Sequence, residues 1–195
     1  MLVTDRRETR GRDLVDVVEA AVAGGVGLVQ VRERDLAETE VDTLLRRLLA
    51  RLRETPARLL VNGSAGLARA LDIGLHLSAS APPPAAPRPL LCGRAVHDEA
   101  EARRALAEGA SYVVIGPVFP TASKPGHPGA GLEVLARLAR IVAPVPVFAI
   151  GGLTSDRVAR VLAAGAHGVA ARSAILGARD PARAARAFRD ALPPA

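Results

Sequence analysis

The chain has 195 residues, 49 % of them apolar and 24 % charged, with a formal net charge of +6. That length suits one domain, expected over residues 1–195, and is short for two. Three Phe, one Tyr and no Trp leave almost no surface for base stacking, and the arginines are scattered, so a nucleic-acid partner is not expected. The basic balance fits attraction of an anionic small molecule. No apolar run approaches the roughly 20 residues of a membrane span, and no signal-peptide stretch follows Met1. A lone Cys92 cannot form an internal disulfide, so a cytoplasmic location is expected and no membrane partner. The oligomeric state is not legible, and a homodimer is kept as one candidate assembly.

Short β-branched runs alternate with longer Ala/Leu/Arg segments. The expected strands are Leu2–Thr4, Leu28–Val31, Leu59–Asn62, Leu75–Leu77, Leu90–Ala95, Tyr112–Ile115, Val145–Ile150 and Gly168–Ala171. The expected helices are Leu14–Ala23, Glu38–Arg53, Ala65–Leu71, Glu99–Ala107, Leu132–Ala143, Ser155–Ala164 and Pro181–Ala191. Glycine recurs between helix and strand, at Gly24-Gly25, Gly109 and Gly165, as expected of the residue that closes a helix. Between strands 4 and 5 the run Ala81–Pro89 holds five prolines and cannot make an ordinary helix. The pattern is that of an α/β chain: a compact (β/α)8 TIM barrel with a degenerate fourth helix.

In such barrels the site lies where the strands end. Strand 2 ends Gln30-Val31-Arg32-Glu33-Arg34-Asp35, and the two-residue repeat puts Gln30 and Arg32 on one side. A carboxylate or phosphate would satisfy these guanidinium groups; an internal pair of Arg32 with Glu33 or Asp35 is the alternative. Asn62 ends strand 3, as a ligand donor or as a helix cap. His97 follows strand 5 and is either a proton shuttle or a capping residue. The long segment after strand 6 carries Thr121, Ser123 and Lys124, the sole lysine of the chain, and reads as a lid. Gly151-Gly152 after strand 7, with Arg172-Ser173 after strand 8, suit a phosphate held by backbone N–H groups.

These blocks, Gln30–Asp35, Val61-Asn62, Gly74–Leu77, Gly116–Lys124, Ala149–Leu153 and Gly168–Ile175, together resemble the thiamine phosphate synthase superfamily over nearly the whole chain. The resemblance implies the barrel and a thiazole phosphate ligand. Its synthase branch, a transferase, joins a pyrimidine diphosphate to the thiazole phosphate with magnesium on two aspartates. The matching positions here are Gly63 and the Ser78-Ala79-Ser80-Ala81 loop, which offer no carboxylate, and Ala95 replaces a serine. Its thiazole tautomerase branch, an isomerase, resembles this chain at Gly93-Arg94-Ala95-Val96-His97 and at Gly126-His127-Pro128-Gly129-Ala130-Gly131. That branch implies proton transfer by His97 on a carboxythiazole phosphate, with no metal and no cofactor. Gly151, Gly152 and Ser173 would hold the phosphate, and Arg32 or Lys124 the carboxylate. Thiazole tautomerase is the expected activity. The alternatives are a divergent thiamine phosphate synthase and a non-catalytic thiazole-phosphate-binding relative.

Overall fold

A computed structural model describes residues 1–85, 89 and 91–194. Eight strands run parallel in the order of the sequence: β1 (Leu2–Val3), β2 (Leu28–Val31), β3 (Arg58–Asn62), β4 (Gly74–Leu77), β5 (Cys92–Val96), β6 (Tyr112–Ile115), β7 (Val147–Ile150) and β8 (Gly168–Ala170). Each strand pairs with the next, and a bridge from Leu2 to Ala171 joins the last to the first. The helices between them are α1 (Leu14–Ala23), α2 (Glu38–Leu52), α3 (Ala65–Ala70), α4 (Glu99–Ala107), α5 (Gly131–Val142), α6 (Val158–Ala163), α7 (Ser173–Leu176) and α8 (Pro181–Asp190). This is the (β/α)8 barrel, and no helix among the described residues is long and apolar enough to cross a membrane.

Local chemistry sets the helix starts. The carboxylates of Asp13, Asp98 and Asp180 accept from the first turns of α1, α4 and α8, and Ser64 does so for α3. Each such cap satisfies a backbone donor that the helix itself cannot, worth about 1 kcal/mol. The sheet then separates two cores. Outward strand residues such as Val29, Val61, Leu75, Val113 and Ala149 pack under helix residues such as Leu45, Leu48, Leu135 and Leu138. Inside the barrel, Leu60, Tyr112 and Val114 meet Met1, Leu28, Leu91, Phe148 and Ile150. Gly93 makes room for this inner core, because a Cβ there would lie 2.0 Å from Cζ of Tyr112.

Differences from expectation are local. Strand 7 begins at Val147 rather than Val145, since Pro144 and Pro146 have no N–H to give a ladder. The expected helix from Ser155 opens with a 3-10 turn, Ser155–Arg157, before α6. A short helix, α7, follows β8 where only a turn was expected. Leu90, expected to start strand 5, lies outside the described residues, as do Ala86, Pro87 and Arg88 of the proline-rich run.

Among the described residues no helix lies between β4 and β5, and arginines hold that segment instead. The Arg94 guanidinium, 2 % exposed, donates through Nη1 to the carbonyls of Ser78 (3.0 Å), Ala79 (3.3 Å) and Ala81 (2.8 Å), and it pairs with Glu108. Arg104 on α4 also donates to the Ala79 carbonyl. Fixed guanidinium donors do here what a helix does elsewhere: they satisfy backbone acceptors that would otherwise be buried without partners.

Candidate active site

Carried one residue past the strand ends, the two-residue repeat assigns Arg32, Asn62, Ser78 and His97 to the layer above the inner core. Gln30 lies one layer lower, 3 % exposed, with its amide 3.9 Å from the Met1 sulfur.

A cavity of about 280 Å3 lies between the ends of β2 and β3 and helices α2 and α3; its lining includes Arg32, Arg34, Asn62 and Ser64 and the carboxylates of Glu33 and Glu38. Arg32 does not pair with Glu33 or Asp35. Glu33 instead accepts from the Thr4 hydroxyl (2.6 Å) and the Arg6 N–H (3.0 Å), and Asp35 pairs with Arg6 (2.7 Å). The Arg32 guanidinium is therefore half-buried with no side-chain hydrogen bond among the described residues. Burial, then the nearby charges of Arg34 and Arg172, hold it below the usual arginine range. The charges of Asp5 and Glu33 oppose that shift without forming a hydrogen bond to Arg32, so its donors are open to an anion. Asn62 does not cap α3; Ser64 does, and the Asn62 amide reaches the His76 carbonyl at 3.4 Å.

The same wall does not fit a divalent metal. Gly63 and Ala81 carry no donor, Glu33 is engaged as above, and Glu38 is bound by the Ser64 hydroxyl (2.5 Å). Among the described residues no three His, Cys, Asp or Glu side chains converge as ligands. Magnesium requires several hard oxygens, and the two carboxylates on this wall, Glu33 and Glu38, are each taken by protein donors beside the guanidinium groups of Arg32 and Arg34.

His97 follows β5, its side chain 46 % exposed. Its Nδ1 lies 2.9 Å from the Glu101 carboxylate, which also accepts the His97 backbone N–H at 2.7 Å. No contact joins His97 to the β2–β3 cavity among the described residues.

The segment from Pro117 to Ala130, expected to act as a lid, forms a loop between β6 and α5. Ala130 and Gly131 donate to the carbonyls of Pro117 and Val118, closing its base. Thr121 and Lys124 line a cavity within it, and Ser123 receives a 2.6 Å hydrogen bond from Arg172. Arg172 also pairs with Glu8 (2.6 Å), while its Nε and the second Glu8 oxygen are buried without partners. Gly151 and Gly152 both have positive φ, +99° and +62°, and a Cβ on either would lie 2.4 Å from Pro117 or Pro120. Their lack of side chains lets the β7 end pack against the lid base. The backbone N–H groups of Gly152, Ser173 and Ala174 have no hydrogen-bond partner among the described residues.

Two features escaped sequence reasoning. His76, not among the expected site residues, lies 5 % exposed within the barrel, its Nδ1 3.2 Å from the Tyr112 hydroxyl and its ring stacked on the phenol. Burial first, then the charges of Arg32 and Arg94, push it down to about 4. Burial pushes the Tyr112 phenol up. Glu101 lies within the helix expected over Glu99–Ala107 and was not singled out; its spacing from His97, four residues across a cap, was the available signal.

The model of the thiamine monophosphate synthase family matches residues 1–175. A relative from Geobacter sulfurreducens, whose name assigns it provisionally to thiamine-phosphate synthase, is 43 % identical over 99 % of this chain and 93 % of its own length. A thiamine-phosphate synthase from Roseiflexus sp. is 39 % identical over 96 % of this chain and 82 % of its own. The solved thiamine phosphate pyrophosphorylase from Pyrococcus furiosus aligns over 97 % of this chain and 93 % of its own with 32 % identity and a TM-score of 0.86. These names favour the transferase alternative over the isomerase expected from the sequence, and they agree in placing the chain among enzymes. The chain belongs to the thiamine monophosphate synthase family.

Proposed function

We propose that the chain is a thiazole tautomerase that aromatises a carboxythiazole phosphate by proton transfer. The observation that supports this reading is the β2–β3 wall: Arg32 makes no side-chain hydrogen bond among the described residues, Glu33 and Glu38 are engaged by protein donors, and no three metal-ligating side chains converge. A wall of that kind suits an anionic substrate whose reaction ionises no leaving group. The phosphate would lie on the free N–H groups of Gly152, Ser173 and neighbouring Gly151, close to Arg172. The carboxylate would face Arg32, with Arg34 and Asn62 beside it and Gln30 below; Thr121, Ser123 and Lys124 would close over the ligand.

His97 would then take the proton from the ring carbon that bears the carboxylate. The electron pair moves through the ring, the exocyclic double bond accepts the returned proton, and the ring becomes aromatic. One imidazole serves both steps when both carbons lie on one face, and such a group contributes about 10²–10⁴-fold.

The second reading is thiamine phosphate synthesis, favoured by the names of the relatives. One pair of assays separates the two. Aromatisation of the carboxythiazole phosphate is followed with and without a chelator, for the native chain and for His97→Asn. Chelator-insensitive turnover, lost about 10²-fold or more in His97→Asn, is expected. Magnesium-dependent thiamine phosphate formation from the pyrimidine diphosphate, with no aromatisation, would replace this proposal by the second reading.

A further inference from the structure

One carboxylate oxygen in the site does two things. Oε2 of Glu101 accepts the backbone N–H of His97 at 2.7 Å and lies 2.9 Å from the ring Nδ1. Glu101 is itself fixed, because its N–H donates to the Asp98 carboxylate at 2.8 Å, the cap of α4. Its side chain is 22 % exposed, against 46 % for the imidazole, so the acceptor is the more sheltered partner.

An ordinary capping arrangement satisfies backbone donors and stops there. Here the same oxygen also takes the ring. A carboxylate accepts and does not donate, so Nδ1 carries the hydrogen and the neutral ring presents Nε2 as an open acceptor. Among the described residues no other side chain bonds the imidazole. Rotation of the ring about either side-chain torsion would break the Nδ1 bond, so the carboxylate fixes both direction and tautomer. We infer that Glu101 is a positioning residue that holds His97 as the Nδ1–H tautomer with Nε2 free for the proton it exchanges. This rests on the proton-transfer reading given above, and it adds a residue to it.

The test needs a readout that does not depend on turnover. Nitrogen-15 spectra of the neutral imidazoles, with the His97 signals assigned by their loss in His97→Asn, report the tautomer directly. The native chain is expected to show the Nδ1–H form. Glu101→Ala is expected to mix the two tautomers and to lower kcat about tenfold, with KM changed less than about twofold. Glu101→Gln keeps a carbonyl acceptor at the same place and is expected to restore the tautomer and most of kcat. An Nε2–H form in the native chain overturns the inference, and so does an unchanged ring signature in Glu101→Ala. If the signatures behave as expected while His97→Asn retains turnover, the proton-transfer reading falls and the placement of the ring by Glu101 stands.

Discussion

Lowering the pH should cost this barrel stability through His76, and the amount follows from its position. The ring is buried against Tyr112 with Arg32 and Arg94 nearby, and its folded value is pushed down from 6.5 to about 4. In the unfolded chain the imidazole regains its ordinary value. Between pH 6.5 and 4 the unfolded state therefore binds a proton that the folded state refuses, and stability falls as pH falls through that window. At 1.36 kcal/mol per pKa unit, the full loss from this group is about 3 kcal/mol, levelling off below pH 4. His76→Gln removes the titration while leaving an amide able to meet the Tyr112 hydroxyl. Its stability at neutral pH is expected to drop by about 1 kcal/mol, from changed packing and hydrogen bonding. Urea unfolding of both chains in steps from pH 7 to pH 4 is the assay. The native curve should descend further than the variant curve by about 3 kcal/mol. Parallel curves would refute the argument, because they would mean that the buried ring titrates as it does in water.

Gly152→Ala places a side chain at φ +62°, 2.4 Å from the Pro120 carbonyl, and is expected to lose about 2–4 kcal/mol in thermal or urea unfolding. The same variant should weaken binding of inorganic phosphate, measured by calorimetry, if the β7 end holds the substrate phosphate. Ser123→Ala removes the hydrogen bond between the Ser123 hydroxyl and Arg172, and limited proteolysis within residues 121–128 should become several-fold faster while global stability is nearly unchanged.

The barrel was legible because its signals are local. Strand runs such as Leu28–Val31 and Tyr112–Ile115 lie between caps and glycines that act within a few residues, and the structure gives these two runs with the expected bounds. The layer of side chains at the mouth follows from the same two-residue repeat, which put Gln30 and Arg32 on one face. What escaped was pairing across the barrel. Glu33 and Asp35 are adjacent to Arg32 in sequence, yet Thr4 and Arg6 take them from the neighbouring strand end. No spacing rule announces that choice, and it is the choice that leaves Arg32 without a side-chain hydrogen bond among the described residues. Arg94 lay inside a recognised block, but its three carbonyl partners belong to a segment with no periodicity at all. The burial of His76 depends on Gly93 being small enough to admit Tyr112, a fact about two other strands.

The electrostatics of the mouth bear on why a shared barrel need not mean a shared reaction. A synthase-type wall brings two carboxylates and a divalent cation to a pyrophosphate, so the negative charge that grows on the leaving group meets a metal. Here Gly63 and Ala81 stand where those carboxylates would be, and Arg32 and Arg34 share the wall with Glu33 and Glu38, with no side-chain hydrogen bond made by Arg32 among the described residues. Such a wall can still bind an anion, since a guanidinium matches a carboxylate through paired donors. It provides less for a charge that grows during reaction, because fixed guanidinium groups stabilise a bound anion as strongly before the transition state as within it, and uniform binding does not accelerate a step. Proton transfer asks for something different from the anion sites: they need only hold the two ends of the substrate still. On the proposed reading the chemistry would fall to His97, whose Nδ1 lies 2.9 Å from the Glu101 carboxylate and whose Nε2 would be left for the proton.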